Sequence, residues 1–226
     1  MRTPVLLLAA LLALAACASE PDAVTVDGPI ADPEAVAAVE PAPTPGAPAP
    51  AFTLVDTDGT EHSLADFAGQ TVVLEWLNYD CPYVGKHYGS GNMQALQERF
   101  TDEGVVWLSV VSSAPGEQGY FESAEMNART EAEGGLGTAV LLDPTGEVGR
   151  LYDAQTTPHM FVIDEAGTVV YNGAIDDKNT TDQADIGTAT NYVVPAIAAA
   201  QAGTEADPAT TQPYGCSVKY ATDPEA

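Results

Sequence analysis

Apolar strand-like runs alternating with helical segments, then a hairpin and a last helix, predict an α/β domain of three layers. Its mixed central sheet is flanked by helices. Three observations carry this expectation. VVLEWL (72–77) and GVVWLSVVSS (104–113) are nearly continuous in apolar residues, as strands covered on both faces require. Each is followed by a segment with helical character before the next run, TAVLLD (138–143). HMFVID (159–164) and GTVVYNGAI (167–175) then meet at Glu165-Ala166-Gly167, a hairpin signal.

The elements follow in order. Phe52 and Leu54 alternate with polar neighbours as in a half-buried strand, and Asp58-Gly59 marks a hairpin turn. Ser63 is placed to cap a short turn, SLADF, before Gly69 and the first buried strand. After NYDCPYVGKHY (78–88) the run Gly89-Ser90-Gly91 interrupts or bends a helix. NMQALQERF (92–100) then continues with Met93, Leu96 and Phe100 at helical spacing. The segment 113–135 holds a loop and a polar helix closed by glycines. GEVGRLYDA (146–154) is a short helix with Leu151 and Tyr152 inward, and 175–190 is a loop. NYVVPAIAAAQAG (191–203) is a last helix with Pro195 in its first turn and Gly203 at its end. The tail 204–226 carries Cys216 in TTQPYGCSVKY (210–220).

The first residues bear on compartment. Arg2 precedes an apolar run, VLLLAALLALAA (5–16), short for a membrane span and of the length of a signal-peptide core. It ends in LAAC (14–17), which resembles the bacterial lipoprotein processing box. That resemblance implies lipidation of Cys17, a membrane anchor without a spanning helix, and residence in the cell envelope or periplasm, with the outer membrane open. Residues 18–50 are rich in Ala, Pro and acids and read as an extended tether, leaving 51–203 as one domain. The net charge is −26, and 51–226 holds 27 of the 33 acidic residues against six of the seven basic ones. Nucleic acid is excluded as a partner, because phosphate binding needs clustered Lys and Arg. Anionic lipid surfaces and substrates are disfavoured for the same reason.

Cys81 carries the chemistry. It lies between a strand and a helix start, with Pro82 in the first turn, where its missing N–H costs nothing. Unpaired N–H groups and the helix dipole there favour a thiolate. Downstream, Thr157-Pro158 stands immediately before a strand.

Strand–Cys–Pro–helix followed by Thr-Pro–strand resembles the redox site of the thioredoxin superfamily. With APAFTL…DGTEHSL, VVLEWLNYDCPYV, TAVLLDPTGEVGRLYDAQTTPHMFVID and GTVVYNGAI in order, 49–203 resembles its redoxin branch. That branch holds the alkyl hydroperoxide reductase and thiol-specific antioxidant proteins. DCPYVGKHYGSGNMQAL with the terminal YGCSVKY is similar to a peroxiredoxin-like subgroup of secreted bacterial proteins. The resemblance implies a thioredoxin-like sandwich, no cofactor and no metal, and a disulfide or peroxide as substrate, protein or small molecule, with a redox partner protein. It implies Cys81 as nucleophile, Pro158 as a cis-proline whose loop lies against the thiol, and Glu75 as the buried acid beneath it. A Glu75 on an exposed edge is the alternative reading. The departures are specific. Val84 stands at the second cysteine of C-x-x-C, and Leu74 and Asn78 stand at the Pro and Thr of P-x-x-x-T-x-x-C. Arg129 and Arg150 are the cations that could fold back on the thiol.

With Cys17 lipidated, Cys216 is the remaining partner for Cys81, either as resolving thiol or as one half of a structural staple. Two functional classes therefore stay open. One is an envelope thiol–disulfide oxidoreductase with antioxidant activity. The other is a non-catalytic binding or assembly lipoprotein holding a Cys81–Cys216 disulfide. Metal delivery through Cys81, His87 and His159 lacks the paired thiolates that soft metals favour. His62 and the acidic loop 176–185 read as exposed and solvated.

Overall fold

The computed structural model describes residues 43–221. The chain forms β1 (Thr53–Asp56), β2 (Glu61–Ser63), a 3-10 turn (Leu64–Phe67), β3 (Val72–Trp76), α1 (Pro82–Gly89) and α2 (Asn92–Asp102). β4 (Val106–Val111), α3 (Ser123–Glu133), β5 (Ala139–Leu142), α4 (Glu147–Leu151) and β6 (Thr156–Thr157) follow. The last elements are β7 (His159–Ile163), β8 (Val169–Gly173), a second 3-10 turn (Gln183–Thr188), α5 (Val193–Ala202) and β9 (Cys216–Ser217). Seven strands make one mixed sheet in the order β2-β1-β5-β4-β3-β7-β8. β4 runs parallel to both β3 and β5, and the remaining pairs are antiparallel. β6 and β9 form a separate antiparallel pair.

The alternation along β3 explains the layers. Val73 and Leu77 point into a core with α1, α2 and α5, where Val84, Met93, Phe100 and Ile197 are buried. Val72, Leu74 and Trp76 point to the opposite face, against Phe52, Val148, Tyr152 and Phe161. A central strand covered on both sides has no solvent face, which is why its sequence is almost wholly apolar. The exception is Glu75, on the face of Val73 and Leu77. The expected break between the two helices is Gly91, whose φ of 76° is open to glycine at little cost and caps α2.

Ser63 caps the first 3-10 turn in a reciprocal box with Asp66, as its position predicted. His62 departs from the expected exposure. It is half-buried, bonded through Nε2 to Asp56 at 2.7 Å and stacked on Phe67. The segment 175–190 contains the second 3-10 turn, and its first acid, Asp176, is buried rather than solvated.

Both flanks of 51–203 pack onto the domain. Gly46 and Ala49 donate to the carbonyls of Val169 and Gly167, each at 2.8 Å. The tail runs along the edge of β8, where Asn172 and Thr211 bond, and crosses α1. It ends with Tyr220 Oη donating to the Ala154 carbonyl at 2.8 Å. Gly149 makes room for that ring: a Cβ there would lie 2.6 Å from Tyr220 and 2.7 Å from Ser112 Oγ. The signal-like segment, Cys17 and the tether to residue 42 lie outside the described residues.

Candidate active site

Cys81 is the N-cap of α1. Its backbone N–H donates to the Asn78 carbonyl at 3.0 Å, and its carbonyl accepts the first helical bond from Gly85 at 2.9 Å. Pro82 follows at the first helical position, as expected. The thiol is 1% exposed and donates to the Thr157 carbonyl at 3.0 Å. The Thr157–Pro158 bond is cis, and the segment lies against the thiol, where the resemblance placed the loop of Pro158.

β9 completes the site. Cys216 pairs with Thr157 and Ser217 with Thr156, so the tail crosses directly over the cis-proline segment and brings the Cys216 side chain onto Cys81. Both cysteines are free thiols, Cys81 buried and Cys216 partly exposed. Gly215 makes this crossing possible, because a Cβ there would collide with the Thr157 carbonyl.

The two thiols differ in acidity. Burial opposes ionisation of Cys81, yet the Cys216 thiol, the Thr157 hydroxyl and the N–H groups of Val84 and Cys216 favour its anion, and the net direction is down. The contact to the Thr157 carbonyl serves the protonated thiol alone. On ionisation the Thr157 hydroxyl, otherwise buried without a partner, becomes a donor to the sulfur. Cys216 moves the other way, to about 11, from burial and from its closeness to the Cys81 anion.

Glu75 is fully buried in the central strand, not on an edge. Its carboxylate accepts from Trp107 Nε1 at 2.9 Å, Tyr88 Oη at 3.1 Å, and Ser109 Oγ and Gln97 Nε2 at 3.2 Å. Burial raises its pKa to about 6 against the pull of these four donors. Tyr88, Gln97 and Ser109 also line an open cleft of about 150 Å³.

A second buried cluster lies beside the thiols. Lys86 and Asp176, on α1 and after β8, are both nearly inaccessible and sit 3.3 Å apart, and Lys86 Nζ also donates to the Lys178 carbonyl at 2.7 Å. Tyr214, two residues before Cys216, donates its hydroxyl to Asp176 Oδ1. Its ring lies 5.9 Å from that of Tyr83 and 5.6 Å from Lys86 Nζ. His87 accepts from Asn92 at Nδ1, so its proton is on Nε2, 3.9 Å from Asp176 Oδ2. Burial and the Lys86 cation lower its pKa to about 4, Asp176 opposing. Asp176 was read from its acidic neighbours as solvated. Lys86 and Tyr214, distant in sequence, enclose it instead.

Neither arginine reaches the thiol. Arg129 pairs with Asp80 and lies over Phe121, whereas Arg150 lies over Tyr220 and donates to the Thr145 carbonyl. His159, near the site in sequence, is buried and bonded to Asn172 at 2.7 Å, and burial lowers its pKa to about 4. Among the described residues no group of three His, Cys, Asp or Glu side chains is arranged around a metal ion. The structure thus brings together Cys81, Pro158 and Cys216. It adds a role for Thr157, which the sequence reading had named only as the residue before Pro158, and for Tyr214, two residues before Cys216, which it passed over.

A mixed sheet with helices on both faces, a cysteine at a helix start and a cis-proline beside it define a thioredoxin-fold protein. Two solved structures share that fold at a TM-score of 0.67. A hypothetical protein from Sinorhizobium meliloti 1021 is 22% identical, covering 80% of this chain and 96% of its own. An uncharacterised conserved protein from Geobacillus kaustophilus is 24% identical, covering 79% and 93%. The model of the AhpC/TSA family matches residues 45–172. Two Mycobacterium tuberculosis proteins, from strains CDC 1551 / Oshkosh and ATCC 25618 / H37Rv, both provisionally named peroxiredoxins, are 30% identical over 139 residues. The match covers 56% of this chain and 82% of theirs. The chain belongs to the AhpC/TSA family.

Proposed function

We propose that the chain is a thiol–disulfide oxidoreductase in which Cys81 is the nucleophile and Cys216 the resolving thiol. The observation that carries this is the pairing of Cys216 with Thr157 across the cis-proline segment, which sets a protonated thiol against a thiolate-prone one. The Cys81 thiolate attacks a disulfide, bonding to one sulfur and expelling the other as a thiolate. Cys216 then attacks Cys81 Sγ, expels the second thiolate and passes its proton to it. Two electrons have moved to the substrate, and an external dithiol partner restores the pair. With a peroxide, Cys81 takes the terminal oxygen as a sulfenic acid, an alcohol or water leaves, and Cys216 condenses with loss of water. Family membership and the provisionally named relatives favour that second reaction. The occupied arginines and Asn78 at the Thr position disfavour it.

Stopped-flow oxidation of the reduced protein by glutathione disulfide and by hydrogen peroxide tests both. The expected result is faster oxidation by the disulfide, none in Cys81→Ser, and a stable mixed disulfide in Cys216→Ala. Faster turnover of peroxide reverses the order of substrates. A Cys81–Cys216 potential below about −300 mV identifies a structural staple and removes the catalytic reading. We further propose the envelope as the location, through lipid on Cys17, with the residues between it and 43, where the chain packs onto the domain, as tether. Fatty-acid labelling that is lost in Cys17→Ala supports this, and labelling that persists refutes it.

A further inference from the structure

The thiols are joined by more than their own contact. Cys216 reaches Cys81 because its backbone pairs with Thr157, on the edge of the short strand that faces the thiol. A polypeptide presenting a cysteine to Cys81 in the same geometry would add a strand to that same edge. The edge is already filled. Cys81 is 1% exposed beneath the tail, so its attack on any disulfide requires β9 to move.

What holds β9 down is concentrated two residues upstream. Tyr214 is buried, and its hydroxyl bonds Asp176 beneath it. Asp176 is fixed from the other side by Lys86 of α1, the helix that begins at Cys81, and it accepts the Lys178 N–H at 2.8 Å. A charge pair removed from water in this way is costly to break by halves, so it forms a firm anchor for one added hydroxyl. His87 faces the same carboxylate at 3.9 Å and Tyr83 packs on the Tyr214 ring, both also from α1. Gly215 then lets the chain drop onto Thr157. One helix thus carries both the nucleophile and the anchor of its resolving partner.

We infer that Tyr214, Asp176 and Lys86 form a latch that positions Cys216 and makes β9 a built-in occupant of the polypeptide-pairing edge. The inference rests on the exchange reaction proposed above and deepens it. Resolution inside the molecule is fast while the latch is closed. Small disulfides need a brief lift of β9, whereas polypeptide disulfides must displace it and compete with the tail.

Rapid-quench mass spectrometry separates formation of the mixed disulfide at Cys81 from its conversion to Cys81–Cys216. The substrates are glutathione disulfide and a short cysteine peptide oxidised to its dimer. In Tyr214→Phe, conversion should slow about tenfold or more, the weight of one hydrogen bond to a charged acceptor. Attack by the peptide should rise relative to attack by glutathione disulfide. Gly215→Ala, which displaces the strand without touching the latch, should shift both in the same directions. Wild-type protein gives a reading free of any substitution. Hydrogen exchange at 214–218 should quicken when the same peptide, with serine in place of cysteine, is added. Wild-type conversion rates with an unchanged substrate ratio in Tyr214→Phe, or no exchange response in the wild type, overturn the latch. Failure of the underlying exchange reaction is seen separately, as oxidation that persists in Cys81→Ser.

Discussion

Replacing Glu75 with glutamine should remove a pH dependence of stability whose sign and size follow from the carboxyl's surroundings. Burial lifts its pKa from 4.5 to about 6, although Trp107, Tyr88, Ser109 and Gln97 all favour the anion. The unfolded chain therefore releases this proton first. The folded protein is unpenalised below 4.5 and loses stability as pH rises through about 6. Once both states are ionised the loss is about 2 kcal/mol. Other carboxylates titrate in the same range, so the quantity to follow is the difference between wild type and Glu75→Gln, in which they cancel. Urea unfolding at intervals from about pH 4 to pH 7 gives it. Wild-type stability minus variant stability should fall by about 2 kcal/mol across that range. A flat difference, or one that rises, would refute the account of a carboxyl held up by burial.

Other outcomes follow from the same geometry. Cys216→Ala should raise the Cys81 pKa, because the thiolate loses its side-chain donor, and thiolate absorbance against pH measures it; an unchanged midpoint contradicts that source of stabilisation. Non-reducing peptide mapping of the oxidised protein should join Cys81 to Cys216. Reducing that bond should cost roughly 4–5 kcal/mol in the chain-entropy model, read as a lower urea midpoint. Gly149→Ala should destabilise by about 1–3 kcal/mol by crowding Tyr220 and Ser112, and equal unfolding midpoints would show that the ring moves aside freely.

The sheet and Cys81 were legible because their signals are local. Apolar runs mark strands covered on both faces, and Cys-Pro marks a helix start. Glu75 was ambiguous for the same reason that its strand was clear. In a run apolar at every position, alternation cannot say which way one polar residue points, and its four donors come from α1, α2 and β4. Asp176 was misread because its neighbours are acidic and exposed, while its partners lie on α1 and in the tail. The role of the tail could not be read from spacing at all. It depends on Thr157 and Cys216 sharing a strand pair, and on glycines at 149 and 215 whose clearance is visible only once Tyr220 and Thr157 are placed.

The pairing of β6 with a strand near the end of the chain also sets a timetable. Synthesis delivers Cys81 early, with the helix that carries it, and delivers Cys216 only after every strand of the main sheet has been made. Until then Cys81 lacks Cys216, and β9 is not there to pair with Thr157. A ribosome that stops short of residue 214 leaves a molecule with its seven-stranded sheet encoded and Cys81 without β9 beside it. Addition of 214–217 is what brings the second thiol beside the first.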